Sequence, residues 1–169
     1  MLKRVASKRL AASKGRFVIV AANYNAQYVD AMLRAARSEL ARAGTKKVEV
    51  IRVPGAFEIP LVAARIASVA ARHRGSTGDR LGAIICLGVI LRGETVHAAH
   101  IGEAVSQALM QIQVRYRFPV IHEVLLLENH SQAKVRCLGA RHNRGAEAAQ
   151  TALIMAEVMN GMTPDPDHG

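Results

Sequence analysis

The chain has no tryptophan, and among its 169 residues only three are phenylalanine and three tyrosine. Half of its residues are nonetheless hydrophobic, so a core has to be built from Ala, Val, Leu, Ile and Met, as where helices pack on buried strands. Cysteine is scarce too: Cys86 and Cys137 match no CxxC or zinc-ligand spacing. That excludes a disulfide framework, and a chain of this length needs none, because it can bury about 70% of the surface its unfolded form exposes. Both cysteines read as small buried hydrophobes in a reducing compartment, the cytoplasm. No stretch approaches the roughly 20 apolar residues of a membrane span, so no membrane segment is expected. Charged residues make up 21%, which argues against disorder.

Acidic residues are absent from the first sixteen positions, whereas Lys3, Arg4, Lys8, Arg9, Lys14 and Arg16 contribute to a net charge of +10. Such an arm could touch nucleic acid, lie on a membrane surface or act as a targeting peptide. The plainer reading of residues 1–16 is a solvated basic tail. Beyond it there is no aromatic RNA-binding pattern or basic-helix motif, so nucleic acid is not an expected partner.

The rest alternates strand and helix patterns. Phe17 to Ala22 is a continuous apolar run, the mark of a strand buried on both faces, and Asn23-Tyr24-Asn25 breaks it. Val29, Met32, Leu33, Ala36 and Leu40 then share one helical face that Gly44 ends. Lys47 to Val53 reads as a second strand, Pro54-Gly55 as a turn, and Pro60 suits the first turn of a helix reaching about Arg72. The polar stretch 73–80 is a loop. Ala83 to Ile90 is the third strand, Thr95 to Tyr116 a helix with Thr95 as a natural N-cap, and Val120 to Leu127 the fourth strand. A short helix from Ser131 to Cys137 and a last one from Gly145 to Asn160 follow, then a fraying tail over 161–169. Strands separated by helices imply a parallel sheet with right-handed crossovers. The expectation is one domain over residues 17–160, a three-layer α/β/α sandwich with a four-stranded parallel sheet.

Ligands of such sheets bind beyond the carboxyl ends of the strands. The loops there carry polar or aromatic groups beside glycine: Tyr24, Gly55 to Glu58, and Arg92 to His97. The helix start after Gly93 offers free N–H groups to an anion such as phosphate. His97 falls in its first turn, and histidine as a residue type suits proton transfer near neutral pH. His100 and Glu103 share that helix face, but the spacing is not HExxH and no third ligand is evident, so no metal is expected. GxxxxGK[ST], GxGxxG and GxSxG are all absent, and no carboxylate pair suited to glycoside chemistry is evident.

Four segments in order, the first strand with Asn23-Tyr24-Asn25, VPGAFEIP (Val53–Pro60), CLGVILRGETVH (Cys86–His97) and QAKVRCLGARHNRGAEAA (Gln132–Ala149), resemble the lumazine synthase family from Phe17 to Met159. The resemblance implies a flavodoxin-like fold and a condensation of 5-amino-6-(D-ribitylamino)uracil with 3,4-dihydroxy-2-butanone 4-phosphate, without cofactor. Carried over by position, it implies that Tyr24 stacks on the pyrimidine, that Ala56, Phe57 and Glu58 hold the ribityl chain, and that Val89, Ile90 and Leu91 line the ring pocket. Glu94, Thr95 and Arg136 would meet the phosphate, His97 would be the acid–base residue, and His122 would cover the pyrimidine where the family has an aromatic residue. Ala98 and Ala99 replace the aromatic and acidic residues that usually follow the motif histidine, leaving His100 or Glu103 as substitutes. Asn143-Arg144-Gly145 is similar to the family's NKG. The resemblance further implies a homo-oligomer, a pentamer or a sixty-subunit shell of pentamers with sites shared between neighbours and a riboflavin synthase as a candidate partner. The length of the loop from Gly139 to Gly145 leans toward the shell. The rival expectations are a non-catalytic member of the same fold that binds flavin or a ribityl-pyrimidine or forms a shell, and a domain whose basic arm binds RNA.

Overall fold

Every side chain from Phe17 to Ala22 is buried, and together they feed two cores. Phe17, Ile19 and Ala21 point to one face of the sheet, and Val18, Val20 and Ala22 to the other. A two-residue period demands this of a strand covered on both sides. In the computed structural model, which describes residues 15–72, 80–139 and 142–162, this strand is β1 (Arg16–Ala22). After it come α1 (Ala26–Arg42), β2 (Lys47–Val53), a 3-10 turn (Ala56–Glu58) that leads into α2 (Ile59–Arg72), and β3 (Leu81–Leu91). The chain continues through α3 (His97–Tyr116), β4 (Val120–Leu127), α4 (His130–Ala133), a π-helical turn (Lys134–Leu138) and α5 (Arg144–Gly161).

The four strands are parallel in the order β2-β1-β3-β4. One core joins the sheet to α1 and α5, and the other joins it to α2 and α3. This is the three-layer α/β/α sandwich expected from the sequence. The chain leaves β1 toward α1 on one face and β3 toward α3 on the other. Between these two central strands the order reverses, which opens a crevice at their carboxyl ends.

Local chemistry sets the helix limits. Tyr28, Val29, Met32, Ala36 and Leu40 form the buried stripe of α1. Gly44, at φ 78°, donates to the Ala41 carbonyl at 2.9 Å while the Thr45 amide donates to Leu40 at 3.0 Å, the paired bonds of a Schellman stop. Gly145 answers a different need. There α5 packs so tightly on α1 that a Cβ would lie 2.0 Å from the Met32 carbonyl oxygen.

Three boundaries differ from the sequence expectation. Arg16, the last residue of the expected basic arm, already pairs with Lys47 and Leu81 in the sheet, and its guanidinium lies 3.3 Å from Glu49. Helix α3 begins at His97 rather than Thr95: its N-cap is Val96, and no side chain caps it. Just before it the chain bends through Glu94 and Thr95, and further back the Arg92 amide donates to the Leu127 carbonyl while its guanidinium reaches Glu128, both at 2.8 Å. The expected short helix is a single turn, capped by Asn129, that widens into the π-helical turn. Residues 1–14, 73–79, 140–141 and 163–169 lie outside the described residues, and with them most of the arm, most of the 73–80 loop, Arg141 and nearly all of the expected tail. Among the described residues, no helix is long and apolar enough to cross a membrane. Cys86 and Cys137 are both free and buried. Burial pushes both thiols up, that of Cys137 to about 11 with the Glu123 carboxylate adding to the effect.

Candidate active site

At the carboxyl ends of β1, β2 and β3 the chain gathers one group of the expected residues. Tyr24 follows β1 and is 75% exposed, and Phe57 follows β2 and is 61% exposed. Two large rings left in water at the mouth of a sheet crevice are the side chains a ligand or neighbouring subunit would cover. Asn25 fixes the first of these turns. It adopts the left-handed conformation (φ 56°, ψ 40°), which asparagine tolerates, and its Nδ2 donates to the Val89 carbonyl at 2.7 Å. Arg52 braces the same turn from β2, with Nε 2.9 Å from Asn23 Oδ1 and Nη1 2.8 Å from Asp30.

The second turn is held by its own acid. Gly55 donates its amide to Glu58 Oε2 at 2.9 Å, which closes the start of the 3-10 turn. Ala56 is buried, whereas Phe57 and Glu58 are exposed. Val89 and Ile90 are also buried, but in opposite cores, so their side chains cannot share one pocket wall. What β3 presents at its end is its backbone and the half-buried Leu91. Glu94, Thr95 and His97 all stand exposed where α3 begins. Without a side-chain cap, the first amides of this helix remain open to an acceptor. The His97 ring has no hydrogen bond among the described residues. Glu103 accepts from Gln107 at 3.3 Å, one turn further along, and does not turn back to orient His97. No group of three His, Cys, Asp or Glu residues suited to a metal occurs among the described residues.

A second group lies along the edge strand β4. His122 pairs in register with Cys86, five residues before the Leu91–Leu127 pair that ends the strand. At the usual strand rise that sets it about 16 Å back from the sheet end. The ring turns toward α3, where Nε2 lies 2.8 Å from Ser106 Oγ, and the Val124 amide donates to Nδ1 at 3.3 Å. An amide donating to Nδ1 leaves the proton on Nε2, which then donates to Ser106, whose hydroxyl donates to the Gly102 carbonyl at 2.7 Å. Burial lowers the His122 pKa below its ordinary value and so favours the same neutral form.

Glu123, the next residue, faces the opposite core and is only 5% exposed. Its Oε1 accepts from Arg144 Nε at 2.6 Å, and Arg144 Nη1 reaches Glu147 at 2.6 Å. Burial raises the Glu123 pKa, and the Arg144 guanidinium partly offsets this. Arg136 lies close enough to act on Glu123 electrostatically, yet it makes no hydrogen bond or ion pair among the described residues. An exposed free guanidinium thus stands beside one that two carboxylates occupy. Nearby, Arg144 is paired and His142 is exposed.

The expected residues therefore fall into two separate groups. Tyr24, Ala56 to Glu58, Val89 to Leu91 and Glu94 to His97 come together at the sheet end, while His122 and Arg136 flank the middle of β4. No individual role was assigned from the sequence to Asn25, Arg52, Ser106, Glu123 or Asn143. Glu123 left a usable signal, an acid inside the apolar run of β4. Asn25 left one as well, a residue tolerant of positive φ between a strand and a helix.

Comparison with known proteins places these elements in one family. The sequence profile described as 6,7-dimethyl-8-ribityllumazine synthase matches residues 14–160. A protein of that name from Xanthomonas campestris pv. campestris (strain B100) is 38% identical over 146 residues, covering 85% of this chain and 89% of its own. Its namesake from Stenotrophomonas maltophilia (strain R551-3) is also 38% identical over 146 residues, covering 85% of this chain and 88% of its own. The chain belongs to the 6,7-dimethyl-8-ribityllumazine synthase family.

Proposed function

We propose that this chain condenses 5-amino-6-(D-ribitylamino)uracil with 3,4-dihydroxy-2-butanone 4-phosphate to give 6,7-dimethyl-8-ribityllumazine, phosphate and water, the penultimate step of riboflavin biosynthesis. One observation carries the reading. Exposed Tyr24, the 3-10 turn at Ala56–Glu58, and the uncapped α3 start with His97 meet at the sheet end in a member of this family.

The amine of the pyrimidine attacks the ketone, and water leaves to form an imine. Phosphate is then eliminated, and the ribitylamino nitrogen closes the ring with loss of a second water. Each step moves a proton, and His97 is the exposed group at the sheet end suited to carry it. Tyr24 supplies a stacking face for the pyrimidine. The 3-10 turn offers Glu58 and backbone groups to the ribityl hydroxyls. The α3 start, with Glu94 and Thr95, and the free Arg136 guanidinium receive the phosphate. Holding both substrates together contributes most of the acceleration, and proton transfer adds about 10²- to 10⁴-fold.

His122 lies too far back along β4 to close over His97 of the same chain, and Arg136 acts on Glu123, the next residue of that strand. We therefore assign the complete site to two copies, with one giving the sheet end and the next its β4 edge, in a pentamer or a sixty-subunit shell of pentamers. The free buried cysteines suit a cytoplasmic protein. The test of the reaction is direct. Purified protein mixed with both substrates is expected to form the lumazine, followed by its absorbance, and His97→Ala is expected to slow it about 10²-fold. Absence of product at high concentrations of the wild-type protein would refute the assignment.

A further inference from the structure

Arg136 sits in the middle of the π-helical turn Lys134–Leu138, a kind of turn that is rare and concentrated at functional sites. The last residues of this turn are tied to α5 by one side chain. Asn143 Nδ2 donates to the Cys137 carbonyl, while Asn143 Oδ1 accepts from the Gly145 amide at 2.9 Å and caps α5. A single carboxamide thus joins the turn carrying Arg136 to the first turn of the last helix. The two residues that follow anchor that helix in turn. Arg144 clamps it to Glu123 on β4, and Gly145 lets it settle against the Met32 carbonyl of α1.

We propose that Asn143 is a positioning residue for Arg136: by holding the Cys137 carbonyl it aims the neighbouring guanidinium at the phosphate of the incoming substrate. The inference rests on the reading of Arg136 as the phosphate ligand given above. Helix capping alone would use only the oxygen of the carboxamide. The donated bond from its nitrogen is the part that serves the turn.

Asn143→Ser separates the two roles, because serine caps a helix nearly as well but is too short to reach Cys137. It also leaves the local charge unchanged. In steady-state assays of the assembled protein, Asn143→Ser is expected to raise KM for the phosphate-bearing substrate about 3- to 10-fold. Both kcat and KM for the pyrimidine should stay near wild type, as should the thermal midpoint. Combining it with Arg136→Ala should add nothing to the KM effect of Arg136→Ala alone, since a positioning residue acts only through the group it positions. Should the serine variant lose stability, Asn143→Thr likewise keeps the cap and the local charge and is too short to reach Cys137, and the same KM effect is expected. An unchanged KM for the phosphate substrate, a parallel rise for both substrates, or additive effects in the double variant would overturn the positioning role while leaving Arg136 in place. If Arg136→Ala itself leaves that KM unchanged, the phosphate reading falls and the proposal with it.

Discussion

Asn25 Nδ2 donates to the Val89 carbonyl at 2.7 Å, tying the turn that carries Tyr24 to the end of the central strand β3. The two residues are 64 positions apart, so this bond sets the Tyr24 turn relative to the sheet end and not merely to its own helix. Asn25→Gly keeps the positive φ and loses only the bond, which costs about 1 kcal/mol. Asn25→Ala loses the bond and adds about 1–2 kcal/mol of left-handed strain. Denaturant unfolding at matched protein concentration is expected to rank wild type above Gly and Gly above Ala. Both variants should raise KM for the pyrimidine.

Gly145→Ala tests the close packing of α5 on α1. A methyl group 2.0 Å from the Met32 carbonyl oxygen cannot be relieved by turning a side chain, because the obstacle is backbone. Helix α5 must shift, at a cost of about 3 kcal/mol or more. A large fall in thermal midpoint or in yield of folded protein is expected, and wild-type stability would contradict the packing described.

The neutral state of His122 gives a pH dependence with a definite sign. Its native pKa is lowered from 6.5, so the unfolded chain takes up the proton first as pH falls. The stabilisation it provides is present above 6.5 and is lost as pH falls through the lowered native value. Relative to His122→Phe, which keeps a flat ring and cannot titrate, the wild type is expected to lose stability as pH drops below 6.5. Parallel stability curves for the two proteins would show that His122 is not held neutral.

Glu123 and Arg144 form a mostly buried pair at 2.6 Å. Removing one partner leaves the other charge poorly solvated, whereas replacing both with apolar residues of similar size removes the desolvation cost as well. Glu123→Leu and Arg144→Met are each expected to destabilise the protein by about 1–3 kcal/mol, reduced from the fully buried case because Arg144 retains some exposure. The double variant is expected to lie nearer to wild type than either single one. Strict additivity would contradict a direct coupling.

The layers, the strand limits and the sheet-end residues were legible in the sequence because each rests on a local signal. Phe17 to Ala22 announces a doubly buried strand, Gly44 a helix stop, and Gly55 and Gly93 the turns at the strand ends. The start of α3 was misplaced by two residues because Thr95 is a good cap in isolation. The helix takes Val96 as its N-cap instead, with no side chain capping it, so the Thr95 hydroxyl goes unused there. Bonds between distant residues left no such trace. Nothing near Asn25 points to Val89, nothing near Ser106 points to His122, and Arg144 reads as one more solvated cation until β4 brings Glu123 beneath it. Val89 and Ile90 illustrate the same limit from the other side, since a strand buried on both faces cannot offer both side chains to one ligand.

The central claim, a lumazine-forming site shared by two copies of the chain, is tested most directly by subunit complementation. His97→Ala and Arg136→Ala proteins are each expected to have little activity. Dissociated, mixed in equal amounts and reassembled, they should form sites in which one copy gives His97 and its neighbour gives Arg136. Random mixing in a ring yields such intact sites at about one interface in four, so recovery of about a quarter of wild-type activity is expected. Activity no greater than that of the two separate variants, from assemblies shown by mass measurement to contain both, would contradict the shared site.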